Sequence, residues 1–151
     1  MRNIILITIL LIVGCTSPAA YTAFLPVDVQ QWLPEDEANF EIQLEGSPTP
    51  HQLYVFVRTT KAHRYDTQRL PLEITQHWQH IKATRIDTIQ VEITDETGNF
   101  TGKGLHHRDI LTPLGEIHCT DSLKGTISIR PCTPLPVHGI SHIGVELRLV
   151  L

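Results

Sequence analysis

Leu53-Tyr54-Val55-Phe56-Val57 is apolar at every position. Alternate residues of a strand point to opposite faces, so a run with no polar face belongs in the middle of a sheet, covered on both sides. Outward from it, the chain alternates with period two. Phe40, Ile42 and Leu44 are spaced by Glu41 and Gln43, and Ile89, Val91 and Ile93 by Gln90 and Glu92. Ile127 and Ile129 alternate within 126–130, and Ile143, Val145, Leu147 and Leu149 are spaced by Gly144, Glu146 and Arg148. Each segment reads as a half-buried strand. Leu70, Leu72 and Ile74 also alternate, with Pro71 restricting them to a bulge or an edge. Residues 109–114 and 116–119 form a weaker strand. The polar stretch 76–85, which holds Trp78, reads as a loop or a strand extension. Turn chemistry at Gly46-Ser-Pro-Thr-Pro50, Asp95-Glu-Thr-Gly98 and 131–136 separates the segments. Seven or eight short strands without a helical period predict an all-β fold. The expected architecture is an antiparallel β-sandwich, immunoglobulin-like or jelly-roll-like.

The beginning of the chain differs. Arg2 precedes an apolar run over 4–14, about half of the roughly 20 residues a membrane-spanning helix needs. Its length and positive flank fit a cleaved secretory signal peptide. Ile12-Val13-Gly14-Cys15 resembles the bacterial lipobox. There a small residue lets the signal peptidase cut, and the cysteine sulfur accepts a diacylglyceryl group. Cleavage is therefore expected after Gly14 and lipidation, with palmitate among the acyl chains, at Cys15. Each buried methylene contributes about 0.8 kcal/mol, and more than one chain makes anchoring stable. The expected organisation is a signal peptide over 1–14, a lipidated N-terminus and tether over 15–37, and the sandwich over 38–151. Tyr21, Phe24-Leu-Pro26 and Trp32 are too apolar for a disordered tether, so they should pack on the surface or edge of the domain.

The chain has 151 residues and a net charge of −4; removing 1–14 takes away Arg2 and leaves −5. A mildly acidic chain without a basic patch excludes nucleic acid as a partner class. Two cysteines remain besides Cys15. If 110–130 formed a hairpin turning near Asp121 to Gly125, Cys119 and Cys132 would lie about 17 Å apart at the strand rise, beyond the roughly 7 Å a bridge spans. Two separate buried thiols are expected. The histidine pairs His77/His80, His106/His107 and His138/His142 lack helical context and carboxylate or cysteine companions, so no metal is expected. Gly98-Asn-Phe-Thr-Gly-Lys-Gly104 is one residue short of a phosphate loop. No nucleophile elbow or Cys-x-x-Cys is present, so neither enzymatic activity nor a cofactor is expected. Trp32 and Trp78 are candidate partner-contact residues, with core packing as the competing reading.

Several segments in order resemble the gliding-motility lipoprotein H (GldH) family of Bacteroidetes. They are the lipobox, the lead-in with Tyr21, Leu25-Pro26 and Trp32, and the Phe40-x-Ile42 strand. The Leu53-Tyr-Val-Phe-Val-Arg58-x-Thr60 strand and the Tyr65 loop follow. Then come Thr97-Gly-x-Phe-x-Gly-x-Gly104 and the closing Gly139-Ile-x-x-Ile-Gly-Val145. The resemblance implies a non-enzymatic envelope lipoprotein, membrane-anchored and partnered with motility and protein-secretion proteins. Some bacteria of this group send lipoproteins to the cell surface through acidic residues after the cysteine; here Thr-Ser-Pro-Ala-Ala follows, which points to a periplasm-facing molecule. Asp87-Thr88-Ile89 and Asp121-Ser122-Leu123 fit the O-glycosylation acceptor pattern of that group, making Thr88 and Ser122 candidate sites. The alternative function is a carbohydrate- or peptidoglycan-binding envelope module.

Overall fold

The computed structural model describes residues 19–60, 68–79 and 83–150. The alternating segments form eight strands: β1 (Ala19–Pro26), β2 (Ala38–Leu44), β3 (Ser47–Thr60), β4 (Arg69–Trp78), β5 (Thr84–Glu92), β6 (His107–Cys119), β7 (Leu123–Pro131) and β8 (Ile140–Leu149). They make two four-stranded sheets, ordered β1-β8-β3-β6 and β2-β7-β4-β5, and every pairing is antiparallel. Strand 1 pairs with 8, 2 with 7, 3 with 6 and 4 with 5, so the chain is one long ribbon doubled back at β4–β5. Rolling that ribbon up sets β3 against β8 and β4 against β7. This is the jelly-roll order, and it decides between the two kinds of sandwich that the sequence allowed.

β3 lies inside its sheet, between β8 and β6, as the unbroken apolar run predicts. Leu53, Val55 and Val57 face the core with Ile143, Val145 and Leu147 of β8. The other sheet contributes Leu72 and Ile74 from β4 and Ile127 and Ile129 from β7. Each such side chain contributes about 1.5–3 kcal/mol on burial. Indoles close both ends of this core. Trp32 bridges to Val137 through backbone hydrogen bonds of 2.8 and 2.9 Å, and its Nε1–H donates to the Asp36 carbonyl at 2.9 Å. Trp78 lies over Gly125, where an added Cβ would overlap the indole ring, and its Nε1–H donates to Gln76 Oε1 at 3.2 Å.

Several expectations are corrected. The segment read as a tether is partly a strand: residues 19–26 form β1, an edge strand paired along β8. The Tyr21 hydroxyl donates to the Glu41 carbonyl at 2.8 Å, tying β1 to β2 across the two sheets. The sandwich therefore begins at 19, not 38. Pro71 lies in an interior strand, not at an edge or bulge. Its carbonyl accepts from Cys132 N–H at 2.9 Å. In an antiparallel strand N–H and C=O of one residue share a side, so the missing donor points past the end of β7, and the β5 ladder loses nothing. The polar stretch after Ile74 continues β4 to Trp78. β6 and β7 are not a hairpin, because they belong to different sheets. Cys119 and Cys132 are free, as expected, but neither is buried: Cys119 is half-buried and Cys132 exposed.

Leu72 is fully buried at the sheet-to-sheet contact. Leu72→Ala is expected to cost about 2–5 kcal/mol, read as a lower urea midpoint at unchanged m-value. A loss under about 0.5 kcal/mol would contradict the inter-sheet core.

Candidate functional site: an outer sheet face of aromatic and charged residues

The two outer sheet faces differ. On β2-β7-β4-β5 the outward residues are mostly polar, Asn39 and Glu41 on β2, Thr126 and Ser128 on β7, Glu73 and Thr75 on β4, with Ile86 of β5, exposed opposite Thr75, an apolar exception. Arg130 pairs with Glu73 at 2.6 Å, Nη2 to Oε1. Such a face is comfortable in water. The outer face of β1-β8-β3-β6 carries rows that the register sets side by side. One row is Phe24, Gly144, Phe56 and Leu111; the next is Pro26, His142, Arg58 and Asp109; a third is Thr22, Glu146, Tyr54 and Pro113.

Gly144 shapes the middle row. A Cβ there would overlap the Phe24 ring and the Ala23 carbonyl. Without one, Phe24 crosses β8 and stacks obliquely on Phe56, ring centroids 4.3 Å apart at 52°. Phe56 is thereby 5% exposed although it faces outward, while Phe24 at 44% and Leu111 at 38% remain open to solvent. Beside this ledge the Arg58 guanidinium sits 5.4 Å over the Phe56 ring. It also grips Asp109 with two bonds, Nε to Oδ1 at 2.7 Å and Nη2 to Oδ2 at 2.8 Å. The fork holds the charge in one place, unlike a lone lysine. The hydrogen bond from Arg58 holds the Asp109 carboxyl below the usual carboxylate range, against the opposing effect of burial. On the other flank Arg148 lies 5.4 Å over the Tyr54 ring and pairs with the mostly buried Glu146. The result is an apolar ledge between two ion pairs.

A second concavity, about 210 Å³, opens between the β5 and β6 edges. Gln76 Nε2 donates to Asp87 Oδ2 at 3.0 Å, and Arg85 pairs with the same oxygen at 2.8 Å. This chain positions Trp78 from below. The described residues lining the cavity include no serine, threonine or cysteine nucleophile. Among the described residues no three His, Cys, Asp or Glu side chains converge as a metal ligand set. His138 binds the Gln30 carbonyl and His142 faces Ser141 Oγ at 3.1 Å, so the two do not act as a pair.

Gly14 and Cys15 lie outside the described residues. Trp32 and Trp78, 1% and 5% exposed, are core residues, and burial removes both as contact residues. Ser122 is exposed just before β7, whereas Thr88 is exposed in the middle of β5 and not at a turn boundary. Nothing brings Thr88 and Ser122 together. The sequence reading passed over the outer-face rows. The signal was there in Tyr54, Phe56 and Arg58 at every second position, and in His142, Gly144, Glu146 and Arg148 opposite the core positions of their strand.

The family model described as GldH lipoprotein matches residues 19–147, from the start of β1 into β8. No curated protein matches the chain.

Asp109 ionises more readily folded than unfolded, so its pairing adds stability above the unfolded-state pKa of about 3.9. That stability disappears as pH falls through the lower folded value. Both partners are over a third exposed, which limits the pair to at most about 1 kcal/mol. Asp109→Asn should therefore lower stability slightly at pH 7, and the difference from the parent should vanish in acid. A difference that is constant with pH in denaturant titrations would exclude the ion pair as its source.

Proposed function

The chain belongs to the GldH lipoprotein family, and on that footing we propose that it is a non-enzymatic scaffold of the gliding-motility and associated protein-secretion apparatus. Membership in a lipoprotein family implies a membrane-anchored envelope protein. In this reading the signal peptide is removed after Gly14, Cys15 carries the acyl chains, and the sandwich faces the periplasm. Anchoring confines the domain to a surface, raising its effective concentration near partners in the same membrane.

The observation that carries the scaffold reading is the Phe24–Leu111 ledge between the Arg58–Asp109 and Arg148–Glu146 pairs. Exposed apolar residues framed by charge are the composition of a protein contact, with the core of the patch desolvated and its rim polar. A carbohydrate-binding module needs an open aromatic platform. Both indoles are buried, and Arg148 covers Tyr54, which weighs against that alternative. Of the two candidate O-glycosylation hydroxyls, Ser122 is exposed in the connection between β6 and β7, outside any strand ladder, while Thr88 sits in a regular edge strand.

Crosslinking in intact cells followed by purification tests the scaffold. The parent is expected to recover envelope motility or secretion proteins, and Phe24→Ser with Leu111→Ser to recover several-fold less at unchanged thermal stability. A parent recovered alone would refute the scaffold. Labelled palmitate should enter the parent and not Cys15→Ser; incorporation into both would place the anchor elsewhere.

A further inference from the structure

The pairing of β1 with β8 fixes which end of the sandwich faces the lipid. Only Thr16, Ser17 and Pro18 separate Cys15 from Ala19. Four Cα steps span at most about 14 Å. Ala19 pairs with Arg148, near the end of β8, so β1 enters the sheet at that end. Its eight residues then run to Pro26, about 24 Å away at the strand rise. At the near end β2 is followed by β3, β4 by β5 and β6 by β7 after two, five and three residues. At the far end the joins from β1 to β2, β3 to β4, β5 to β6 and β7 to β8 take eleven, eight, fourteen and eight residues.

We propose that the sandwich stands end-on on the bilayer, resting its short-turn end on the lipid headgroups and holding its long loops away from them. This rests on the lipid-anchor reading above. Charge agrees with it. By sequence, the far-end joins hold seven acidic residues, four of them Asp28, Glu35, Asp36 and Glu37, against Lys61, Arg64 and Lys103, whereas the near-end joins hold Glu45 and Asp121 against Lys82, so anionic headgroups repel the far end more strongly. The alternative pose, flat on the β1-β8-β3-β6 face, gains nothing from charge, since Asp109 and Glu146 already neutralise Arg58 and Arg148. Standing upright also leaves that face open sideways, toward a neighbour anchored in the same membrane. Leu105 and Leu135, 81% and 70% exposed, then lie at the membrane-distal tip.

The test uses the full lipidated chain in phosphatidylethanolamine–phosphatidylglycerol vesicles with acceptor dyes on the headgroups. One variant, Cys119→Ser, carries the donor on the native Cys132 at the far end. The other, Ser122→Cys with Cys119→Ser and Cys132→Ser, carries it at the near end. Energy transfer is expected to be several-fold greater from 122 than from 132. Equal or reversed transfer overturns the pose while leaving the anchor intact. A chain that does not float with the vesicles overturns the anchor and the pose together. Hydrogen exchange on the unsubstituted chain gives a second reading free of mutation. Vesicles should slow amides in 45–46 and 120–122 and leave 93–106 unchanged; slowing at 93–106 instead overturns the pose.

Discussion

Between the two sheets, Val55, Val57, Ile143 and Val145 from one side close against Leu72, Ile74, Ile127 and Ile129 from the other. The rest of the molecule depends on that contact. Because side chains alternate, a one-residue slip in any of β3, β8, β4 or β7 would turn its buried set outward. The register that fills the core therefore also dictates what appears outside. Phe24, Phe56 and Leu111 share a row only because Phe56, between Val55 and Val57, cannot face inward.

This coupling lets the buried register fix a specific outer surface. Arg58 on β3 and Arg148 and Glu146 on β8 stand on interior strands whose backbones are fixed by ladders on both sides, and Asp109 on the edge strand β6 is held by the two bonds of the fork. Little side-chain entropy remains to be lost when a partner docks, which is where surface contacts usually lose affinity. The opposite face is mostly polar, with its threonines, serines and the Arg130–Glu73 pair.

Period-two patterning made the strands of the core legible, because one buried face imposes alternation. It also identified β3 as interior, since only a strand with neighbours on both sides and cover on both faces tolerates an unbroken apolar run. β1 was not legible as a strand. It is an edge, six of its eight residues are exposed, and its sequence therefore alternates weakly. Sheet membership was equally hidden. The 120–122 connection is as short as a hairpin turn, yet it crosses from one sheet to the other, and nothing in local residue choice distinguishes the two. The indoles stood open between partner contact and core packing, because a tryptophan in a polar or irregular stretch shows its burial only once Gln76, Asp36 and Gly125 are seen to accommodate it. The outer-face ledge was missed since it is formed by rows across strands, a relation that only the register reveals.

The first strand of this ribbon finds its partner in the last. While a nascent polypeptide is being threaded through a translocon, residues 19–26 have no β8 to bind, and the sheet cannot close before 140–149 emerge. Contacts so distant along the chain form slowly. On the export reading proposed above, this connectivity keeps the chain threadable until 140–149 have emerged.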